Sequence, residues 1–166
     1  MSPVRAFIGL GSNQADPPLQ LDAALEALSR LPDTRLLAVS PRYVTSPFGP
    51  VPQPDFLNAV AELETALDAL TLLAALHRIE AAQGRVRTLR WGPRTLDLDL
   101  LVHGDACIET QGLTVPHPGI VQRNFVLYPL RDIAPALEIP GLGRVSTLAA
   151  RVAGDGIRRY EDDTST

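Results

Sequence analysis

Two aspartates stand two positions apart in an otherwise apolar segment, TLDLDLLVH at residues 95–103. The alternation of apolar and polar residues predicts a β-strand. Residues i and i+2 of a strand point to the same side, so Asp97 and Asp99 should share one face, about 7 Å apart. The opposite, apolar face is predicted to consist of Leu96, Leu98, Leu100 and Val102.

This pair of carboxylates has two interpretations. Alternating Leu and Asp is typical of a strand whose outer face is solvated. Alternatively, two neighbouring carboxylates suit Mg²⁺, which prefers a few carboxylates together with waters and substrate phosphates. Asp97 and Asp99 could then bridge two ions that hold a polyphosphate.

Four arginines fall within ten positions directly before this strand: Arg85, Arg87, Arg90 and Arg94. Any one of them alone would be read as a surface charge. Together, beside an Asp-x-Asp strand, they favour a polyphosphate site, because arginines neutralise the charge on transferring and leaving oxygens. The loop that carries them begins at Gly84 and could close over a bound nucleotide.

Two phenylalanines and an amide suggest a slot for a flat heterocycle. Phe56 begins a predicted strand after a proline-rich loop, and Phe125 opens a predicted helix. Each ring could equally be part of the core. Asn58 shares the strand face of Phe56, and its amide offers both a donor and an acceptor to a ring edge.

Composition restricts the possible functions. The chain has 166 residues, 45% of them hydrophobic, and a net charge of −4, which argues against generic binding to nucleic acid or to an anionic membrane. It contains no lysine, so a P-loop, a protein kinase and Schiff-base chemistry are excluded. No apolar run or leader suggests a membrane span or a signal peptide. The single cysteine, Cys107, suits a reducing cytoplasm, and we expect a cytoplasmic monomer.

The order of predicted elements is β-α-β-β-α-β, with additions at the C-terminus. It predicts an α+β fold of the ferredoxin-like type, an antiparallel sheet with helices on one face. Asp16 is predicted to cap the first helix ahead of two prolines. Residues 1–160 should form a single catalytic domain and residues 161–166 a flexible tail. The predicted strands are residues 34–45, 56–65 and 95–103, together with a strand that leads into a turn within residues 4–13. The predicted helices are one that starts at Asp16-Pro17-Pro18 and ends at Pro32, one over residues 69–82, one from about Gln122, and one over residues 144–153.

The segment GRVRTLRWGPRTLDLDLLVHG, residues 84–104, resembles the signature of 6-hydroxymethyl-7,8-dihydropterin pyrophosphokinases, enzymes of folate biosynthesis. The resemblance extends over nearly the whole chain. It implies a ferredoxin-like fold and the transfer of pyrophosphate from ATP to the hydroxymethyl group of the pterin, with release of AMP. The further matching segments are IGLGSN (8–13), YVTSPFGP (43–50), DFLNAV (55–60), RIEAAQGRVR (78–87) and LTVPHPGIVQRNFVLYPL (113–130).

The resemblance also implies roles for individual residues. Asp97 and Asp99 would hold two Mg²⁺ ions, and Arg85 and Arg94 would be the catalytic arginines at the β- and γ-phosphates. The residues implied on the ATP side are Arg87, Arg94, Leu100, Thr114, His117 and Arg123. Those implied on the pterin side are Thr45, Ser46, Phe48, Phe56, Asn58, Trp91 and Phe125, with the two phenylalanines on either side of the ring.

The chain departs from the best-known members in four respects: the loop 84–94 is about one residue shorter, Gly112 and His77 stand where some members have Arg and Gln near ATP, and Phe56 stands where a tyrosine is usual. Two other functions are open from the residues alone. One is a Mg²⁺-dependent phospho- or nucleotidyltransferase with another acceptor. The other is an RNA-binding module of the same fold class, which the acidic strand disfavours. A dinucleotide-binding fingerprint at IGLGSN fails, because Gln14 stands where the third glycine should be.

Overall fold

The structure is a computed structural model, and it describes residues 2–47, 52–83 and 95–161. The described strands are β1 (Val4–Ser12), β2 (Thr34–Val39), β3 (Tyr43–Thr45), β4 (Phe56–Thr65), β5 (Asp97–His103), β6 (Ile108–Glu109), β7 (Thr114–Val115), β8 (Glu138–Ile139), β9 (Gly143–Arg144) and β10 (Ile157–Arg159). The described helices are α1 (Pro17–Ser29), α2 (Ala69–Ala82), α3 (Asn124–Ile133) and α4 (Val145–Arg151).

The main sheet is antiparallel and has the strand order β10-β3-β4-β1-β5, with β2 paired to the second half of β4. Helices α1 and α2 cover one face of this sheet. The apolar residues of β1, β4 and β5 on that face pack against leucines from both helices, among them Leu21, Leu28, Leu72 and Leu76. Each fully buried leucine contributes about 1.5–3 kcal/mol, so this core fixes both helices against the strands.

Helices α3 and α4 cover the opposite face, so the C-terminal additions give the sheet a second core. Phe7, Val60 and Leu101 from the sheet pack there with Leu127 of α3 and Leu148 of α4. The predicted antiparallel α+β fold is confirmed. The sequence predicted helices on one face together with C-terminal additions, and it left open that these additions cover the second face.

The predicted apolar face of β5 is wrong at one position, Val102. Along the pairing with β1, Ile8 lies opposite Leu100 but the next residue, Phe7, lies opposite Val102. A β-bulge at this step adds one residue to β5, which turns Val102 to the other face. Val102 therefore packs in the second core with Phe7, whereas Leu96, Leu98 and Leu100 lie in the first core as predicted.

Two other local predictions are corrected. The strand expected over residues 34–45 is two strands, because Pro41 has no N–H to donate to a neighbouring strand. Before it, Ser40 bonds to Val60: its N–H donates to the Val60 carbonyl, and its hydroxyl oxygen accepts the Val60 N–H. Asp16 does not cap α1 with its side chain. Pro18 removes one of the N–H groups that a cap usually satisfies, and the backbone of Asp16 is left-handed, with φ 64°, instead of extended.

The remaining helix boundaries lie close to those expected. Helix α2 has the expected bounds, and the Asp68 carboxylate accepts the N–H of Thr71 at 2.8 Å, which lowers the pKa of Asp68. Helix α3 begins at Asn124 rather than near Gln122, and α4 is shorter at both ends than residues 144–153. Among the helices that the structure describes, none combines the length and the apolar character that crossing a membrane requires.

Candidate active site

The carboxylates of β5 lie opposite glycines of β1. Asp97 pairs with Gly11 and Asp99 with Gly9. On the other side of β1, Gly11 pairs with Asn58 of β4. Directly paired residues point to the same side of a sheet, so the two aspartates and Asn58 share one face with side-chain-free positions between them.

This open row is the floor of the candidate site. Neighbouring strands lie about 4.8 Å apart, so Asp97 and Asn58, which are two strands apart, are separated by roughly 10 Å along the floor. A side chain on Gly11 would fill the gap, because its Cβ would lie 2.7 Å from Oδ1 of Asn58. The sequence signal for this floor is the alternation of Gly9 and Gly11 with apolar residues, because these glycines place no side chains on it.

The predicted pterin side lies at the β3–β4 end of the floor. Asn58 is buried and donates a hydrogen bond from Nδ2 to Oγ1 of Thr45 at 2.6 Å. Thr45 pairs in register with Phe56, which is half-buried at the start of β4. The structure thus brings together Thr45, Phe56 and Asn58, with Ser46 directly after Thr45.

Two further predicted site residues, Arg123 and Phe125, lie at the start of α3. Phe125 is half-buried at the edge of the second core. The guanidinium of Arg123, one of the residues predicted to bind ATP, lies 5.7 Å from the centre of the Phe125 ring. A face-to-face arrangement of Phe56 and Phe125 around a ligand remains a prediction.

A pocket of about 310 Å³ opens along the outer edge of β5. It joins residues from three segments: β5, α2 and residues 111–118. Five of the predicted residues line it, namely Asp97, Asp99, Leu100, Thr114 and His117. His77 and Gly112, the two departures expected near ATP, line it as well. Arg123 is not among its lining residues.

His117 is electrically neutral in this pocket at physiological pH. Its pKa is lowered to about 4, mainly by burial and in addition by the nearby Arg123, while the Asp97 carboxylate acts in the opposite direction. Nδ1 of His117 accepts the N–H of Gly119 at 3.1 Å, so the proton of the neutral ring lies on Nε2. His117 therefore offers one N–H donor.

Glu80 is buried at the end of α2 and lines the same pocket. Its Oε2 accepts the N–H of Leu98 at 2.8 Å, between the two aspartates. The sequence allowed Glu80 to be a partner of the loop arginines or a surface charge, and nothing local in it shows that the last turn of α2 reaches β5. The bond fixes the outer edge of the strand at the point where the carboxylates are presented.

Five predicted residues lie outside the described part of the chain: Phe48, Arg85, Arg87, Trp91 and Arg94. The structure therefore does not test the arginine cluster. Within the described residues, no three His, Cys, Asp or Glu side chains are grouped so that they could enclose a metal ion. Two carboxylates without a third protein ligand still suit Mg²⁺, which keeps several waters and binds substrate phosphates.

Comparison with known proteins gives the family. The profile of the 7,8-dihydro-6-hydroxymethylpterin-pyrophosphokinase (HPPK) family matches residues 7–135. The chain belongs to the HPPK family. A 2-amino-4-hydroxy-6-hydroxymethyldihydropteridine pyrophosphokinase of Pseudomonas aeruginosa is 52% identical over 155 residues, which cover 93% of this chain and 96% of that protein. The protein of the same name from Haemophilus influenzae is 47% identical over 150 residues, covering 90% and 94%.

The fold agrees with the HPPK part of larger proteins. A Plasmodium falciparum HPPK-DHPS crystal structure with pterin and p-hydroxybenzoate matches 95% of this chain with a TM-score of 0.74 at 14% identity. This chain spans 47% of that protein's length. At such low identity the likeness supports the fold alone. The family and its close relatives establish that this chain is a pyrophosphokinase of folate biosynthesis.

Proposed function

We propose that the chain transfers the diphosphate of ATP to 6-hydroxymethyl-7,8-dihydropterin on the floor formed by β1, β4 and β5. The observation that carries this proposal is the register Asp97–Gly11–Asn58 across the three strands. It separates a carboxylate end, suited to metal-bound phosphates, from an amide end, suited to a heterocycle. The reacting groups of the two substrates would meet between these two ends, above Gly11.

At the carboxylate end, Asp97 and Asp99 are the proposed ligands of two Mg²⁺ ions. Bound there, the ions would neutralise charge on the triphosphate. The pocket beside β5 would accept the rest of ATP. His117 would donate its Nε2 proton to a phosphate or ribose oxygen, and Leu100 and Thr114 would contact the nucleotide.

At the amide end, Asn58 would bond the edge of the pterin. Its bond to Thr45 holds the amide plane, and Gly11, which has no side chain, leaves the space that Oδ1 of Asn58 occupies. Phe56 and Phe125 would lie on either side of the ring. Phe48 and Trp91 are proposed to complete this side, as the resemblance implies.

The chemical step is displacement at the β-phosphorus of ATP. The hydroxymethyl oxygen forms a bond to this phosphorus, the bond to the oxygen between the α- and β-phosphates breaks, and AMP leaves. The hydroxyl proton passes to solvent, since this kind of transfer depends mainly on positioning and charge neutralisation. We assign the neutralisation to Arg85 and Arg94, with Arg87 and Arg123 on the ATP side.

The decisive experiment is incubation with Mg-ATP and 6-hydroxymethyl-7,8-dihydropterin, followed by phosphorus NMR. We expect AMP and a pterin diphosphate. Formation of ADP and a pterin monophosphate would contradict diphosphate transfer and indicate a simple kinase. Hydrolysis of ATP without any pterin product would favour a transferase with another acceptor.

We also propose that residues 1–160 form a single catalytic domain that works as a monomer in the cytoplasm. The only cysteine, Cys107, is exposed and forms no disulfide, which is compatible with a reducing compartment. Sedimentation of the purified chain with and without ATP tests the monomer.

A further inference from the structure

The chain returns to the pterin side of the floor near its C-terminus. Residues 153–157, here named the C-terminal strap, run between the end of β3 and the start of α3. The carbonyl of Gly156 accepts the N–H of Ser46 at 2.9 Å. The next residue, Ile157, begins β10 and pairs in register with Thr45. The strap therefore continues into the strand beside the predicted pterin contacts of β3.

A single side chain fixes the other side of the strap. Nδ2 of Asn124 donates to the carbonyls of Ala153 at 2.9 Å and Asp155 at 3.0 Å. Both hydrogens of one amide are thus used on the strap. The hydroxyl of Tyr128, one helical turn further along α3, donates to Val152 at 3.1 Å, just before the strap begins.

The position of Asn124 in the chain links the strap to the site. It lies directly between Arg123 and Phe125. Because Asn124 is the first residue of α3, fixing it to the strap fixes the position of the Phe125 backbone relative to Ser46. Sheet and helix are joined again at the far end of α3, where Tyr43 and Arg159 both contact the Asp132 carboxylate.

We propose that the C-terminal strap belongs to the pterin side of the active site, with Asn124 as a positioning residue. This inference rests on the proposed function. The strap sets the separation between Phe125 on α3 and the Thr45–Ser46 backbone on β3, between which the ring would lie. None of its residues lines the pocket beside β5, so its release should weaken binding of pterin but not of ATP.

The first test is Asn124→Ala, which removes both donors without changing the side chains of Arg123 and Phe125 themselves. We expect the KM for the dihydropterin to rise about tenfold, which corresponds to about 1.4 kcal/mol, with the KM for ATP unchanged. Thermal unfolding of the same sample shows whether it is folded. Asn124→Asp, which keeps the shape but carries no hydrogens for the two carbonyls, should give the same result.

A matched glycine pair tests the strap from its other side. Gly156 has φ +71° and its Cβ would lie 3.3 Å from Oγ of Ser46, whereas Gly141 in the β8–β9 hairpin has φ +74° and nothing within 4 Å. Gly156→Ala and Gly141→Ala therefore introduce similar backbone strain. We expect only Gly156→Ala to raise the pterin KM. This pair decides the question if Asn124→Ala does not fold.

The outcomes separate this inference from the proposed function. Wild-type protein that makes no pterin diphosphate overturns the proposed function and this inference with it. Normal wild-type turnover together with an unchanged pterin KM in folded Asn124→Ala overturns this inference alone. An equal rise of both KM values also overturns it, because that pattern indicates a general structural role.

Discussion

Asp97 and Asp99 have the spacing that puts two carboxylates on one strand face. Like charges so close together repel, so a strand selected only for stability would not favour them. Their cost is compensated if they hold cations.

Asp97→Asn or Asp99→Asn should lower kcat by about two orders of magnitude or more, because the amide keeps the shape but loses the charge that attracts a cation. Asp105→Asn, at an exposed position after β5, is the matched control and should leave kcat unchanged. The measurement is steady-state turnover alongside thermal unfolding. Wild-type turnover in Asp97→Asn or Asp99→Asn would contradict the proposed role of that aspartate as a ligand of Mg²⁺.

His117 should make unfolding depend on pH. Its folded pKa is lowered to about 4, mainly by burial, whereas an unfolded histidine titrates near 6.5. Between these values the unfolded chain binds more protons, so this contribution to the free energy of unfolding is present above pH 6.5 and is lost as the pH falls toward 4.

Denaturant titrations of the wild type and of His117→Gln from pH 4 to pH 7 check this expectation. The substitution should reduce the fall in stability at the acidic end. His77→Gln, the same change at an exposed position of the pocket wall, is the control for the substitution of a histidine whose surroundings are solvated. A difference between wild type and His117→Gln that is constant across the range would contradict the assignment.

For single residues, the sequence predicted correctly which candidate site residues share a strand face, because that depends only on the two-residue period of a strand. The shared face of Asp97 and Asp99, and that of Phe56 and Asn58, follow from a period of two. The neutral state of His117 does not follow, because it depends on how residues 113–123 fold against β5. The roles of Glu80 and Asn124 depend likewise on contacts distant in sequence.

At the scale of elements, pairing register determines the site. Three strands bring a carboxylate, a glycine and an amide into one row. The order of strands was predictable from the β-α-β-β-α-β pattern, but the register was not. The bulge that turns Val102 and the break at Ser40 and Pro41 were also not predicted, since an apolar run reads as one regular strand.

Gly11→Ala should raise the KM for the dihydropterin about tenfold or more, since the new methyl group would displace Oδ1 of Asn58 from 2.7 Å and disturb its bond to Thr45. Gly9→Ala is the matched control, because its Cβ would lie 3.5 Å from the Leu101 side chain, an ordinary contact. Equal effects of the two variants on the pterin KM, measured with saturating ATP, would contradict the proposed role of Asn58.

For the whole molecule, the C-terminal third contributes to the packing of the sheet as the N-terminal elements do. Helices α3 and α4 complete the second core, and β10 adds an outer strand next to β3. The last described aromatic residue, Tyr160, packs against the first core and donates its N–H to Arg42. The sequence indicated these elements only as additions, because fold class alone does not say which face they cover.

Deleting residues 161–166 should leave Tm and turnover unchanged, as predicted for a tail. Deleting residues 157–166 should lower Tm, by roughly 2–4 °C for each kcal/mol lost, because β10 and the packing of Tyr160 are removed. Scanning calorimetry of the two truncated chains provides the comparison. A large loss of Tm on the shorter deletion would show that residues 161–166 contribute to the fold.

The outer position of β5 has one more consequence. A strand at the border of a sheet can recruit another chain through its unused backbone groups. Here the Glu80 carboxylate and the N–H of His117, which bonds to Leu101, occupy part of that border, and β7 lies beside it. The residues that would enclose the nucleotide thus also cover the edge of the sheet and oppose self-association. Substitutions of these residues should therefore increase aggregation of the protein as well as lower its turnover.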